Sequence, residues 1–306
     1  MVRHLLTLRD YTAEDIIGMI RLAMMFKKLR KKGTRRFNAL NGGSVALIFE
    51  KPSTRTRSSM SVAVSELGGL PLIYNWNELQ LGRGEPIKDT ARVLSLYHDL
   101  IAARVHSHVR LMEFAEYSTV PVINMLSDLY HPLQALADYM TIYETFGKFK
   151  DIKLAFVGDG TDNVLNSLMI VGSKLGVKIS VASPKRYFPR EDILNSLNNK
   201  DIYVTEDPQE AVRDANVIYT DVFVSMGQED VREEKLSYLL PRYQVNKDLL
   251  KVASEDYIFM HCLPAHRGEE VTDEVIEDEA HSVVFRQAEN RLHTAKAAIV
   301  YMLGKL

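Results

Sequence analysis

Val45-Ala46-Leu47-Ile48-Phe49-Glu50-Lys51-Pro52-Ser53-Thr54-Arg55-Thr56-Arg57 joins an unbroken apolar run to a short segment dense in hydroxyls and guanidiniums. The run reads as a strand buried on both faces, as in a parallel sheet. Beyond it, Met60, Val64 and Leu67 recur at helical spacing, which predicts a helix from about Ser58. A strand, a polar loop and a helix start leave backbone N–H groups unpaired and aimed at one spot, at the positive end of the helix dipole. Ser53, Thr54 and Thr56 add hydroxyl donors there. Arg55 and Arg57 add permanent charges whose forks match pairs of phosphate oxygens. Any one of these residues is accounted for by a capped helix with solvated arginines. Together they predict an anion site on an α/β scaffold.

Working outward, the 306 residues suggest about two domains, and an apolar content of 46% is enough for sizeable cores. A formal charge of −2 gives no general attraction to nucleic acid or anionic membranes. No apolar run approaches the ~20 residues that cross a bilayer, and the amino-terminal residues lack the pattern of a signal peptide. With Cys262 the only cysteine, no internal disulfide framework exists, and a cytoplasmic protein is expected. CxxC pairs and His/Cys clusters at ligand spacing are missing from the sequence, so no metal is expected.

Before the anion loop, Thr12-Ala13-Glu14-Asp15 reads as a capping box opening a helix whose buried face carries Ile16, Ile20, Ala23 and Met24. The basic end of that helix, Lys27 to Lys32, is expected to be a solvated face. After the loop, Leu70 to Tyr74 reads as a strand, and Gln80-Leu81-Gly82-Arg83-Gly84-Glu85 as a glycine-flanked polar loop. Leu100 to Arg104 is a further strand. An arginine at its carboxyl end stands where α/β sheets place ligand-binding groups, although Arg104 alone could equally be an ion-paired surface residue. Val120 to Met125 forms another strand, followed by His131-Pro132-Leu133-Gln134 at the mouth of a helix running to Phe146. His131 and Gln134 could there donate to a carbonyl oxygen; a helix cap is the plainer account.

The polar stretch from Lys148 to Lys153 restarts the pattern and sets a domain boundary near residue 148. Strand residues Ile152 to Val157 run into Gly158-Asp159-Gly160-Thr161-Asp162-Asn163, which lacks the third glycine of a dinucleotide fingerprint. The following strand, Lys178 to Ala182, ends without a ribose-binding acid, so a nicotinamide enzyme is not expected. Strand Val217 to Thr220 delivers Asp221, placed to meet a cationic amine, and then Ser225, Met226 and Gly227. Strand Tyr257 to Met260 delivers His261-Cys262-Leu263-Pro264. A last helix begins at Phe285 and includes Arg291.

Taken together, Phe49 to Arg57, His131-Pro132-Leu133-Gln134, Asn163, Asp221 to Gly227, His261 to Pro264 and Arg291 resemble the motifs of the aspartate/ornithine carbamoyltransferase family, in order, over nearly the whole chain. The resemblance implies two doubly wound parallel-sheet α/β domains with the active site in the cleft between them. Residues 1–147 and a returning C-terminal helix, 288–306, would bind carbamoyl phosphate; residues 148–287 would bind the amino acid. Ser53, Thr54, Arg55, Thr56, Arg57, Gln80, Arg104, His131, Gln134, Cys262, Leu263 and Arg291 match carbamoyl-phosphate positions. Asn163, Asp221, Ser225 and Met226 match positions that bind ornithine, and Arg57, Arg104, His131, Asp221 and Cys262 match catalytic ones. The DxxxSMG and HCLP patterns mark the ornithine-acting branch, so the expected activity is carbamoylation of the δ-amine of L-ornithine to L-citrulline, without cofactor. Relatives carrying aspartate, putrescine or acylated-ornithine specificity, a catalytically silent subunit and a nucleotide binder are the alternatives. Many relatives have a second asparagine where this chain has Asp162. The resemblance also implies a homotrimer or a higher assembly of trimers.

Overall fold

A computed structural model describes residues 2–197, 201–225 and 229–305. Two compact units emerge: Met1–Met140 with Glu289–Leu306, and Thr141–Ala288. Each is built on a parallel sheet, as continuous apolar strands alternating with helices require.

In the first unit the strands are β1 (Ser44–Phe49), β2 (Leu70–Asn75), β3 (Leu100–Arg104) and β4 (Val122–Leu126), in spatial order β2-β1-β3-β4. Val45, Ala46, Leu47 and Ile48 are fully buried, as are Leu100 to Ala103. The chain winds from β1 out to β2 and then returns to β3 on the other side of β1, which makes the β1–β3 boundary the switch point of the sheet. Loops at the carboxyl ends of two such strands diverge and leave a crevice, the usual ligand position in open α/β sheets. Phe49 pairs with Arg104 across that boundary, and Glu50 N donates to Arg104 O at 2.9 Å. The anion loop and Arg104 therefore flank the switch point.

The connecting helices are α1 (Ala13–Lys31), α2 (Thr54–Glu66), α3 (Ile87–Tyr97), α4 (His108–Tyr117) and α5 (Pro132–Phe146). The Thr12 capping box forms on both arms, Asp15 N to Thr12 Oγ1 at 3.1 Å and Thr12 N to Asp15 Oδ2 at 3.0 Å. Ile16, Ile20 and Ala23 are buried as expected, while Met24 is half-buried. The basic end of α1 departs from the expected solvated face at Lys27, which is 5% exposed and donates to Asn290 Oδ1 at 2.7 Å. The partner lies 263 residues away, so local charge pattern could not reveal it.

Helix α2 starts at Thr54, four positions before the expected start at Ser58. Ser53 is its N-cap in extended conformation, φ −157°, and Thr54 to Arg57 are its first turn. The hydroxyl-rich segment contains no helix breaker after Pro52, and once the chain leaves the proline nothing opposes helical dihedrals. The unsatisfied N–H groups thus belong to the very residues that carry the anion-binding side chains.

The second unit's strands are β5 (Lys153–Val157), β6 (Lys178–Ala182), β7 (Ile202–Thr205), β8 (Val217–Thr220) and β9 (Ile258–His261), in spatial order β7-β6-β5-β8-β9, every pair parallel. Its switch point lies between β5 and β8, and Thr220 Oγ1 donates to Val157 O at 2.6 Å across it. Its helices are α6 (Asn163–Leu175), α7 (Glu191–Asn195), α8 (Pro208–Val212), α9 (Arg232–Leu239), α10 (Lys247–Leu250) and α11 (Asp273–Ile276); α12 (Val284–Met302) carries the chain back into the first unit. Gly160 holds the turn after β5 tight: a Cβ there would collide with Tyr187 O. No helix among the described residues is long and apolar enough to cross a membrane.

Candidate active site

In the first unit, side chains from four elements converge beside the switch point. Arg291 on α12 is 4% exposed; its Nη2 donates to Thr56 Oγ1 at 3.2 Å and its Nη1 donates to Gln134 Oε1. Gln134 Nε2 donates in turn to Asp138 Oδ1 at 2.8 Å, which fixes the amide's orientation. A guanidinium braced on both forks by buried oxygens is held in one place, as a preorganised anion contact requires. Because Thr56 accepts from Arg291, its own hydroxyl proton remains to be donated to a ligand.

His131, 4% exposed, precedes α5, and its carbonyl accepts from Gln134 N and Ala135 N. Burial, then the charges of Arg291, Arg104 and Arg55, push its imidazole well below its ordinary pKa. The ring is therefore neutral at physiological pH, with one N–H to donate. Arg55 and Arg104 thus both lie within electrostatic reach of His131, as Arg291 does. Arg104 is 9% exposed at the end of β3. Three guanidiniums within electrostatic reach of one neutral imidazole make this recess strongly electropositive.

Arg57 has contacts of its own. Its Nη2 donates to Asn75 Oδ1 at 2.5 Å and its guanidinium carbon sits 5.0 Å from the Phe49 ring centre. With Lys51, Ser53, Thr54, Asn75 and Trp76 it lines a cavity of about 640 Å³ at the α2 amino terminus. Gln80 opens a 3-10 turn, Gln80–Arg83, and is exposed, outside both groups.

In the second unit, Asp221 immediately follows β8 and is 7% exposed. Its Oδ1 accepts from Val222 N at 2.8 Å and from Cys262 Sγ at 3.1 Å. Burial raises the Asp221 carboxyl above its usual range, against the lowering effects of His261 and the Cys262 bond. Residues 261–263 form a relay that the sequence reading did not assign. Leu263 N donates to His261 Nδ1 at 2.9 Å, which puts the ring proton on Nε2, 3.1 Å from Glu270 Oε1. Glu270 is completely buried and also accepts from His266 N at 2.6 Å. Leu263 itself has φ +58°, a left-handed conformation that costs energy for a leucine and is held by these bonds. Within the sequence His261 read as a neighbour of Cys262, and Glu270 gave no signal at all.

Asn163 opens α6 and Ser225 follows β8 and Asp221 in the chain, both half-buried. Met226 and Gly227 lie outside the described residues. Among the described residues, two groups bring possible metal-ligand atoms within 4.8 Å of one another, Asp221 with His261 and Cys262, and His266 with Glu269 and Glu270. In the first, both imidazole nitrogens are engaged, by Leu263 N and Glu270; in the second, Glu269 is ion-paired with Arg232 and Glu270 holds two donors. Neither arrangement is a metal cradle as it stands.

Comparison with known proteins agrees over the full length. The family description "Aspartate/ornithine carbamoyltransferase, carbamoyl-P binding domain" matches residues 3–144, and "Asp/Orn binding domain" of the same family matches residues 150–302. An ornithine carbamoyltransferase of Hyperthermus butylicus is 56% identical over 99% of this chain and 98% of that protein. The anabolic ornithine carbamoyltransferase of Pyrococcus furiosus is 53% identical over 99% of this chain and 96% of its own. Among solved structures, ornithine carbamoyltransferase from Pyrococcus furiosus superposes with a TM-score of 0.94 over 99% of this chain and 98% of that one, at 53% identity. The enzyme from Thermus thermophilus gives 0.89 at 41% identity, covering 98% of both chains.

Proposed function

Since the chain belongs to the aspartate/ornithine carbamoyltransferase family and is an enzyme that transfers the carbamoyl group of carbamoyl phosphate to the δ-amine of L-ornithine, we propose that its two units divide the chemistry between them. The first unit takes carbamoyl phosphate. The amides of the first turn of α2, with Ser53, Thr54, Arg55 and Thr56, hold the phosphate and favour its departing charge. Arg57 acts from the edge of that site, beside Asn75. Thr56, Arg104 and His131 donate to the carbonyl oxygen, where negative charge grows as the tetrahedral state forms, while Gln134 and Arg291 keep the donors in place. The observation that carries this reading is the braced Arg291 fork beside a neutral, buried His131.

The second unit takes the amino acid through Asn163, Asp221, Ser225 and Met226, with Cys262 and Leu263 at the reacting end. The δ-amine, like that of lysine, has a free pKa of about 10.4 and arrives protonated. Asp221, drawn to a higher pKa by burial, is suited to accept that proton, with the Cys262 S–H adjusting its basicity; the departing phosphate is a second acceptor. The amine lone pair then attacks the carbonyl carbon, the C–O bond to phosphate breaks, and citrulline and phosphate leave. No electrons are transferred to an acceptor, so the chemistry asks for no redox cofactor, and alignment of the two reactants supplies much of the acceleration.

Similarity to the anabolic ornithine carbamoyltransferase of Pyrococcus furiosus supports an anabolic role in arginine synthesis. We place the enzyme in the cytoplasm as a homotrimer or an assembly of trimers, with Gln80 completing a neighbouring subunit's site; its exposure in the isolated chain supports that. The test of the activity is citrulline formation from ornithine compared with carbamoylation of aspartate and putrescine. Turnover with ornithine alone supports the assignment; a preference for aspartate or putrescine overturns it.

A further inference from the structure

Helix α5 places Gln134 and Asp138 one turn apart on the same face, the first 1% exposed and the second completely buried. Gln134 Nε2 donates to Asp138 Oδ1 at 2.8 Å, and Gln134 Oε1 accepts from Arg291 Nη1. Shape alone does not choose between the two ends of a side-chain amide, because oxygen and NH2 are nearly the same size. Chemistry does. With its oxygen toward Arg291 the amide accepts from a guanidinium; turned over, it sets two donors against each other and an oxygen against a carboxylate. Buried as it is, neither end can turn to water instead.

Asp138 decides between the two orientations. A carboxylate only accepts, so it admits the NH2 end of Gln134 and leaves the oxygen for Arg291. A guanidinium only donates, so Thr56 Oγ1, 3.2 Å from Arg291 Nη2, must accept. Thr56 is itself 2% exposed, and its hydroxyl proton is thereby turned away from Arg291 and toward a ligand. The chain of bonds joins α5, α12 and α2, and each bond in it has one allowed direction. That direction is set at the carboxylate, the end remote from the reacting groups.

We propose that Asp138 is a positioning residue for carbamoyl transfer. Its carboxylate fixes the direction of the hydrogen bonds from Gln134 through Arg291 to Thr56, and so commits the Thr56 hydroxyl to donate to carbamoyl phosphate, a role that rests on that substrate binding in the first unit. Without the carboxylate, the Gln134 amide takes both orientations. One of them sets Nε2 against Arg291 Nη1, pushes the guanidinium off Thr56 and frees the hydroxyl to accept where it should donate. In that fraction of the enzyme the preorganised donor at the carbonyl oxygen is lost.

The test reverses the polarity of the pair. In Gln134→Glu both side chains only accept and two carboxylates face each other; kcat/KM for carbamoyl phosphate should fall about a hundredfold. In Gln134→Glu/Asp138→Asn the new asparagine donates to the new glutamate, whose other oxygen accepts from Arg291, while the charge and size of the pair are kept. The double variant should regain about tenfold or more over Gln134→Glu despite the additional substitution. Asp138→Asn alone admits both amide orientations and should fall below the double variant by about threefold or more, so the comparison survives if one single variant fails to fold. Throughout, the KM for ornithine should stay within about twofold of wild type, because the second unit is untouched. Calorimetric binding of phosphonoacetamide, a stable analogue of carbamoyl phosphate, should follow the same order with ornithine absent. A double variant no better than the single variants overturns the proposal, and so does a recovery that tracks stability to urea while phosphonoacetamide affinity stays flat. Failure of phosphonoacetamide to compete with carbamoyl phosphate in the wild type would instead count against the first-unit site itself, and the proposal would fall with it.

Discussion

Arg291 bridges residues 157 and 235 positions away in the chain, and its planar fork is what allows one side chain to brace both Gln134 and Thr56. Lysine keeps the charge and loses the geometry. Arg291→Lys should lower kcat/KM for carbamoyl phosphate roughly tenfold to a hundredfold while the KM for ornithine stays within about twofold, because only the first unit is disturbed. Steady-state kinetics with each substrate varied in turn would show it. In the second unit, His261 stands between Glu270 and Leu263 N. Replacing it with phenylalanine strands a completely buried carboxylate and releases a strained backbone turn. His261→Phe should cost about 3 kcal/mol or more in stability by urea unfolding, and lower kcat as Cys262 loses its position. Unchanged stability would remove Glu270 and His261 from the list of residues that support the site.

At the scale of elements, α12 carries a buried charge cluster that makes a pH prediction. His293 is fully buried, and burial, followed by Lys296, Lys27 and Arg30, pushes its pKa down to about 3 from the ordinary 6.5 of a histidine. The folded state thus binds this proton less readily than the unfolded state. Stability from this group is present above pH 6.5 and drains away as pH falls toward 3. At about 1.4 kcal/mol per pH unit below 6.5, moving from pH 7 to pH 5 should cost roughly 2 kcal/mol. His293→Gln should flatten the slope of stability against pH in that window, measured by chemical denaturation; an unchanged slope would assign the acid sensitivity elsewhere. The same helix shows how far the sequence could be read. Its existence was expected from the sequence, with a start at Phe285, one residue after the observed Val284. The burial of Lys27 against Asn290, and of Lys296 against Glu66 at 2.7 Å, did not, because each pair joins residues more than 200 positions apart. Strands β1, β3 and β8 were legible for the opposite reason: a strand buried on both faces announces itself as an apolar run. Helix α4 gave no usable pattern, and the start of α2 at Thr54 was hidden because hydroxyl-rich residues suit loops and first turns alike.

For the whole molecule, the two parallel sheets each present a switch point, and the residues assigned by local motif collect there. The anion loop and Arg104 flank one; Asn163 and Asp221 flank the other. Motifs were readable because strand ends concentrate functional residues into short runs of sequence. What stayed hidden were the braces: Asp138 behind Gln134, and Glu270 behind His261, which are ordinary polar residues until the fold brings them into contact. The central claim is that carbamoyl phosphate is gripped by the first turn of α2 with Arg55, Arg104, His131 and Arg291. The most direct measurement is a crystal structure with a phosphonate analogue of carbamoyl phosphate. The account predicts phosphonate oxygens on the amides of Thr54 to Thr56 and on Arg55, and the carbonyl oxygen facing His131 and Arg104. A phosphonate seated instead in the cavity lined by Lys51, Arg57 and Asn75, away from His131 and Arg291, would contradict it.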